Sequence, residues 1–275
     1  MKTDFLKTGG TVSGAICGFM QIVSDGFRGG GIHSRSSKRG IRPRCKSNIA
    51  FTLIELLVVI GIIGVLAGLL LPALSKGKNK AVSVTDINNL KQIMLATQMY
   101  GSENSDSAPW PNWLKGDSAG RHGWLYTLDT SSSGPAQFKT QTGLFWNTLK
   151  NNRMYFCPMD DTNSPLFSQR SQQSSSYAMN GAVCGYMRTN FPVSKLSAFQ
   201  PEDVAFWETD EKHPKYFNDG ANFPKEGVSS RHLNGAINAA FDGSAGYIRI
   251  DTWYIDVADS NKNILWCYPG SPDGR

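Results

Sequence analysis

Residues 51–71 form an apolar run of 21 residues in which Glu55 is the single charged side chain. As a helix this run is roughly 32 Å long at ~1.5 Å rise per residue, enough to cross a bilayer. A carboxylate inside such a segment costs at least ~2.5 kcal/mol even on lenient insertion scales, so Glu55 calls for a partner or a function. Upstream lies a basic cluster of Arg35, Lys38, Arg39, Arg42, Arg44 and Lys46. That bias holds the preceding segment in the cytoplasm and sends the chain beyond Leu71 outward.

The charge of the chain is concentrated there. Residues 1–50 hold nine Lys/Arg and two Asp, net +7, whereas the remainder holds 19 Lys/Arg against 20 Asp/Glu, net −1. The basic balance is therefore a property of the leading segment, and no nucleic-acid partner is expected. Gly9-Gly10, Gly29-Gly30-Gly31 and the absence of an amphipathic period set residues 1–50 outside the fold.

Ala50-Phe51-Thr52-Leu53-Ile54-Glu55-Leu56-Leu57-Val58-Val59-Ile60 resembles the processing motif of type IV prepilins and type II secretion pseudopilins. The resemblance implies cleavage between Ala50 and Phe51 by a prepilin peptidase, then N-methylation of Phe51. It implies that Glu55, fifth in the mature chain, serves assembly, and that Pro72 loosens the helix where pilins commonly carry a proline. The family favours Gly before the cut, where this chain has Ala50. An uncleaved, membrane-anchored envelope protein with Glu55 snorkelling to the interface is the plainer reading of the same run.

Beyond Pro72 the apolar residues Ile87, Leu90, Ile93, Met94 and Ala96 recur at helical spacing, opposite Asn88, Asn89, Lys91, Gln92 and Gln98. One long helix is predicted over 51–101, loosened near Pro72 and Lys76-Gly77-Lys78, with an amphipathic second half that must bury one face. Residues 102–275 read as an outward-facing β-rich domain with irregular loops. Strands are predicted at Val204–Trp207, Ala236–Phe241, Gly246–Ile250 and Ile264–Cys267. Residues 168–176 read as a low-complexity surface loop. All seven Trp lie beyond Gly101; Ala108–Trp113 with Trp124 offers either core packing or an aromatic face for a glycan or protein.

Nine residues separate His232 from Asp242-Gly243. This spacing resembles an H-x9-DG signature that accompanies prepilin-type N-termini, and Phe156-Cys157-Pro158, Ser176–Asn180 and Asn88–Ile93 also resemble that group. Physically, Asp242-Gly243 is a turn signal, so a β-hairpin with His232 entering its first strand is the plain reading. The sharper one makes His232 and Asp242 metal ligands or a pinning pair, and two ligands are too few to assign a metal. Calcium is also left unassigned, because Asp160-Asp161, Asp210-Glu211 and Asp219 lack the alternating spacing of a calcium loop. Of the cysteines beyond the leader, Cys157 and Cys184 flank one Ser-rich loop and are the first pair to consider for a disulfide, with Cys267 left over. No Gly-x-Ser-x-Gly, His-Glu-x-x-His or P-loop pattern occurs, so no enzymatic site and no cofactor are expected.

The expectation is thus an α+β, pilin-like fold: a long N-terminal helix, transmembrane in its first half, packed on a small antiparallel sheet. The resemblance implies a bacterial inner-membrane subunit with a cytoplasmic N-terminus, later part of a type II secretion pseudopilus or type IV-like filament. Its implied partners are the prepilin peptidase/methyltransferase, other pilin or pseudopilin subunits, the inner-membrane secretion platform, and membrane lipid before assembly. An envelope-anchored surface-binding module delivered by the same N-terminus is the alternative.

Overall fold

The structure is a computed structural model and describes residues 52–113, 120–186 and 192–275. Ala50 and Phe51, the expected cleavage pair, lie outside the described residues.

Helix α1 runs from Leu53 to Glu103, unbroken through Pro72 and Gly77. Its two halves differ in kind. Every residue from 52 to 78 is exposed, including Leu53, Ile54, Leu56, Leu57, Ile60 and Leu71. A helix face so apolar is at odds with water and suits lipid or another copy of the same helix. In the second half the buried residues are Asp86, Leu90, Ile93, Met94, Ala96, Thr97 and Gly101. Steps of three and four residues align them along one stripe. Burying Leu90, Ile93 and Met94 contributes about 1.5–3 kcal/mol each.

That stripe packs into a core shared with one face of a five-stranded sheet. The strands are β1 (Tyr177–Asn180), β2 (Val204–Glu208), β3 (Ala221–Asn222), β4 (Gly235–Ala240) and β5 (Ala245–Arg249), ordered β3-β1-β2-β4-β5. The expected sheet is present, with one correction: β1 and β3 pair in parallel, so the sheet is mixed rather than antiparallel throughout. Strand alternation sorts the two faces, interrupted in β2 by a register shift between Val204 and Phe206 that leaves Ala205 and Phe206 in the same core. Ala205, Phe206, Ile237 and Ala239 join Leu90, Ile93 and Met94 in the larger core. Val204, Trp207, Ala236 and Ile248 point the other way, onto Trp253 of a C-terminal helix, Ile250–Ala258, and onto Leu265.

Two expectations are corrected by packing. Ile264–Cys267 is not a strand; it runs as irregular chain beside β2, where the Val204 N–H donates to the Ile264 carbonyl at 2.8 Å. The Ser-rich segment 168–176 is not a surface loop, because Arg170, Gln172, Ser175 and Ser176 are buried and hydrogen-bonded. The tryptophans pack in the core, the first of the two uses open to them, rather than forming an aromatic face. Trp110, Trp113, Trp124, Trp207, Trp253 and Trp266 are buried and Trp146 packs partly buried against the core.

Candidate functional site

Among the described residues, two places concentrate chemistry. The first is the exposed apolar half of α1, with Glu55 in its first turn and Pro72 inside it. The second is a buried cluster where α1 meets the sheet.

Asp86 opens the buried stripe of α1, four residues before Leu90. Glu208 ends β2 on the same face as Phe206, because residues two apart on a strand point the same way. Tyr177, opposite Glu208 in the ladder, faces the same place from β1. His232 sits in the turn before β4, its N–H donating to the Gly235 carbonyl at 3.0 Å. Leu233 and Asn234 come next with positive φ of 49° and 65°, which turns the chain sharply into β4. Cys157 arrives from the loop after the turn at 152–155, a loop tied to α1 by the Asn89 side-chain amide, which donates to the Phe156 carbonyl at 3.1 Å.

The four side chains converge. His232 Nε2 lies 2.9 Å from Asp86 Oδ2, 3.3 Å from Cys157 Sγ and 3.4 Å from Glu208 Oε2. One ligand-type atom from each of Asp86, Cys157, Glu208 and His232 lies within 4.8 Å of all the others, and all four residues are buried. Around them stands a second layer of hydrogen bonds. The Tyr177 hydroxyl donates to Asp86 Oδ1. Arg231 Nη1 donates to Glu208 Oε1 at 3.0 Å and the Ile237 N–H to Glu208 Oε2 at 2.7 Å. The Met159 N–H donates to Cys157 Sγ at 3.3 Å.

The electrostatics come from burial and mutual proximity. Burial, together with the charge of Glu208, pushes the Asp86 carboxyl up. Burial also opposes the charge on Glu208, but the hydrogen bond from His232 and the Arg231 guanidinium hold it below its ordinary value. For His232, desolvation works against the imidazolium, and the bonds and charges of Asp86 and Glu208 more than offset it, pushing the ring up to about 9. Burial, with Glu208 and Asp86 nearby, pushes the Cys157 thiol up.

His232 is thus the residue of the sequence-predicted set that enters this cluster, and it brings Cys157 with it. Asp242 does not: it is exposed in the β4–β5 turn, its carboxylate accepting from the Ser244 N–H at 2.7 Å. Gly243 is next at φ +89°. His232 and Asp242 flank opposite ends of β4, roughly 20 Å apart at ~3.3 Å per residue, so they neither share a metal nor pin each other. The Cys157–Cys184 disulfide is also corrected. Both are free thiols, Cys157 against His232 and Cys184 against the Gly181 carbonyl. Of the acidic loop residues weighed for calcium, Asp160 accepts from Arg170, Asp210 lies 2.7 Å from His213 Nδ1 and Glu211 accepts from Ser229.

Asp86 and Glu208 escaped sequence reasoning. A faint signal exists for each: Asp86 is a carboxylate in phase with the apolar stripe of its helix, and Glu208 closes an apolar strand.

Residues 45–71 match the family described as the prokaryotic N-terminal methylation motif. No curated protein and no solved structure matches the chain. The chain therefore carries the N-terminal motif of type IV pilin-like precursors, continued by a long apolar helix and an α+β domain.

Proposed function

We propose that this chain is a structural pilin or pseudopilin subunit, made as a precursor and assembled into a type II secretion pseudopilus or a related type IV filament. The observation that carries this reading is the methylation motif at 45–71 continuing directly into a helix whose residues 52–78 are all exposed. A signal anchor needs only the apolar stretch; the motif adds a processed, charged N-terminus.

In this reading a prepilin peptidase cuts between Ala50 and Phe51 and the new amine of Phe51 is methylated. The inner membrane holds the subunit by residues 51–71 until extraction. The apolar halves then pack as the filament core, and residues 102–275 form its outer surface. Glu55 registers each incoming subunit against the Phe51 amine of a neighbour, a pairing strengthened by the apolar surroundings of the core. Pro72 lacks an N–H for the helix ladder and lets α1 bend on packing.

Two measurements test the proposal. The intact mass and N-terminal residue of protein from native membranes should show a chain beginning with N-methylated Phe51; an intact leader would favour the uncleaved anchor. Glu55→Ala should leave membrane insertion unchanged and abolish cross-linkable subunit ladders. Normal ladders from that variant sink the registering role of Glu55.

A further inference from the structure

The Asp86–Cys157–Glu208–His232 cluster gathers four ligand-type atoms within 4.8 Å of one another in the interior. Ser83 Oγ lies 3.1 Å from the Asn79 carbonyl and 2.9 Å from His232 Nδ1, so the outer ring nitrogen of His232 is engaged from α1. Nε2 is the atom turned inward. Asp86 Oδ2, Cys157 Sγ and Glu208 Oε2 surround that one nitrogen at 2.9–3.4 Å. Two carboxylates, a thiol and an imidazole thus turn one ligand-type atom each toward the same buried point. The outward-facing lone pairs, meanwhile, are already taken by Tyr177, Arg231, Ile237 and Met159.

We propose that Asp86, Cys157, Glu208 and His232 bind one divalent transition-metal ion, with the donor set of zinc, as a closed structural site. Atoms held ~2.0–2.3 Å from a tetrahedral ion stand roughly 3.3–3.8 Å apart, close to the spacing seen around Nε2. An imidazole, a thiolate and two carboxylates suit zinc; a sulfur and a nitrogen donor argue against calcium or magnesium, which take oxygen. Charge balances as well. Two carboxylates and a thiolate oppose the two charges of the ion, and the Arg231 guanidinium on Glu208 supplies the remaining one. Ser83 engages the outer nitrogen of the imidazole, as outer partners of metal-bound histidines do. All four donors are buried, which leaves no exchangeable position and makes the ion a clasp between α1 and the sheet.

The test uses the full chain, purified from membranes in detergent without a polyhistidine tag or chelator. Elemental mass spectrometry should find about one zinc per chain. Exchange for cobalt(II) should give the visible bands of a tetrahedral ion together with a near-ultraviolet thiolate charge-transfer band. Cys157→Ser should lose the charge-transfer band, and Ser83→Ala, which touches the ion only through His232, should weaken zinc binding ~10–100-fold. Emission of the buried tryptophans reports whether each variant is folded. A folded wild-type chain that contains no zinc and takes up neither zinc nor cobalt overturns the proposal and leaves the cluster as an ion-pair network. A charge-transfer band that survives in Cys157→Ser overturns it equally. Neither result bears on processing at Phe51, so the filament reading stands or falls separately.

Discussion

Asp160 is held by two arginines inside the domain. Arg170 forms a fork with it, Nη1 at 2.6 Å and Nη2 at 2.9 Å, and Arg231 Nη2 stands at 3.7 Å. The Arg170–Asp160 pair is almost wholly buried, 1% and 3% exposed, so neither charge has water to fall back on. Burial opposes the Asp160 carboxylate, but the hydrogen bonds of Arg170 and the charge of Arg231 keep its carboxyl below the ordinary 3.8. A carboxylate whose folded value is depressed contributes stability that is present above 3.8 and lost as pH falls through the lower folded value. Asp160→Asn, which strands Arg170, should cost about 3–5 kcal/mol at neutral pH. It should also flatten the acid limb of the stability profile, measured by urea titration of the full chain with tryptophan emission as readout. An unchanged acid limb would show that other carboxylates govern acid unfolding.

At the scale of elements, α1 is one helix with two different solvents. Its second half is fixed by apolar contacts, and Ile93, fully buried between helix and sheet, is the test. Ile93→Ala should destabilise the domain by about 2–5 kcal/mol through lost contact and a cavity, read as a lower urea midpoint, with membrane insertion untouched. The helix and its buried face were legible in the sequence because both rest on periodicity: Leu90, Ile93, Met94 and Ala96 recur at the helical step. Strands β2, β4 and β5 were legible for a related reason, being apolar runs bounded by turn residues. Strands β1 and β3 were not. Tyr177–Asn180 comes after a serine run that reads as solvent-exposed, and Ala221–Asn222 is two residues long. The serines are buried by Arg170, Asp160 and the neighbouring backbone, contacts distant in sequence that no local pattern announces. The cluster was half legible on the same grounds. Spacing singled out His232, but its partner for sequence purposes, Asp242, belongs to a turn, and its partners in space come from α1, a loop and β2.

For the whole molecule, the exposed and buried halves of α1 predict a step in backbone protection. In detergent, hydrogen exchange should be slowest at residues 86–101, where α1 is covered by the domain, and markedly faster at 72–78, which are exposed and lie beyond the apolar belt at 51–71. Uniform protection along α1 would mean that the segment around Pro72 and Gly77 is packed against something further. The His232–Asp86 bond also joins residues 146 apart in sequence. In the proposed orientation the chain reaches the far side of the membrane in order, helix first. Asp86 and the stripe behind it therefore emerge with nothing to cover them, and Glu208, His232, β4 and β5 arrive last. A ribosome or a protease that stops the chain before Glu208 leaves a tethered amphipathic helix with a bare flank, a substrate for envelope quality control. In that orientation the domain closes only once its final quarter has arrived, long after the helix that anchors it.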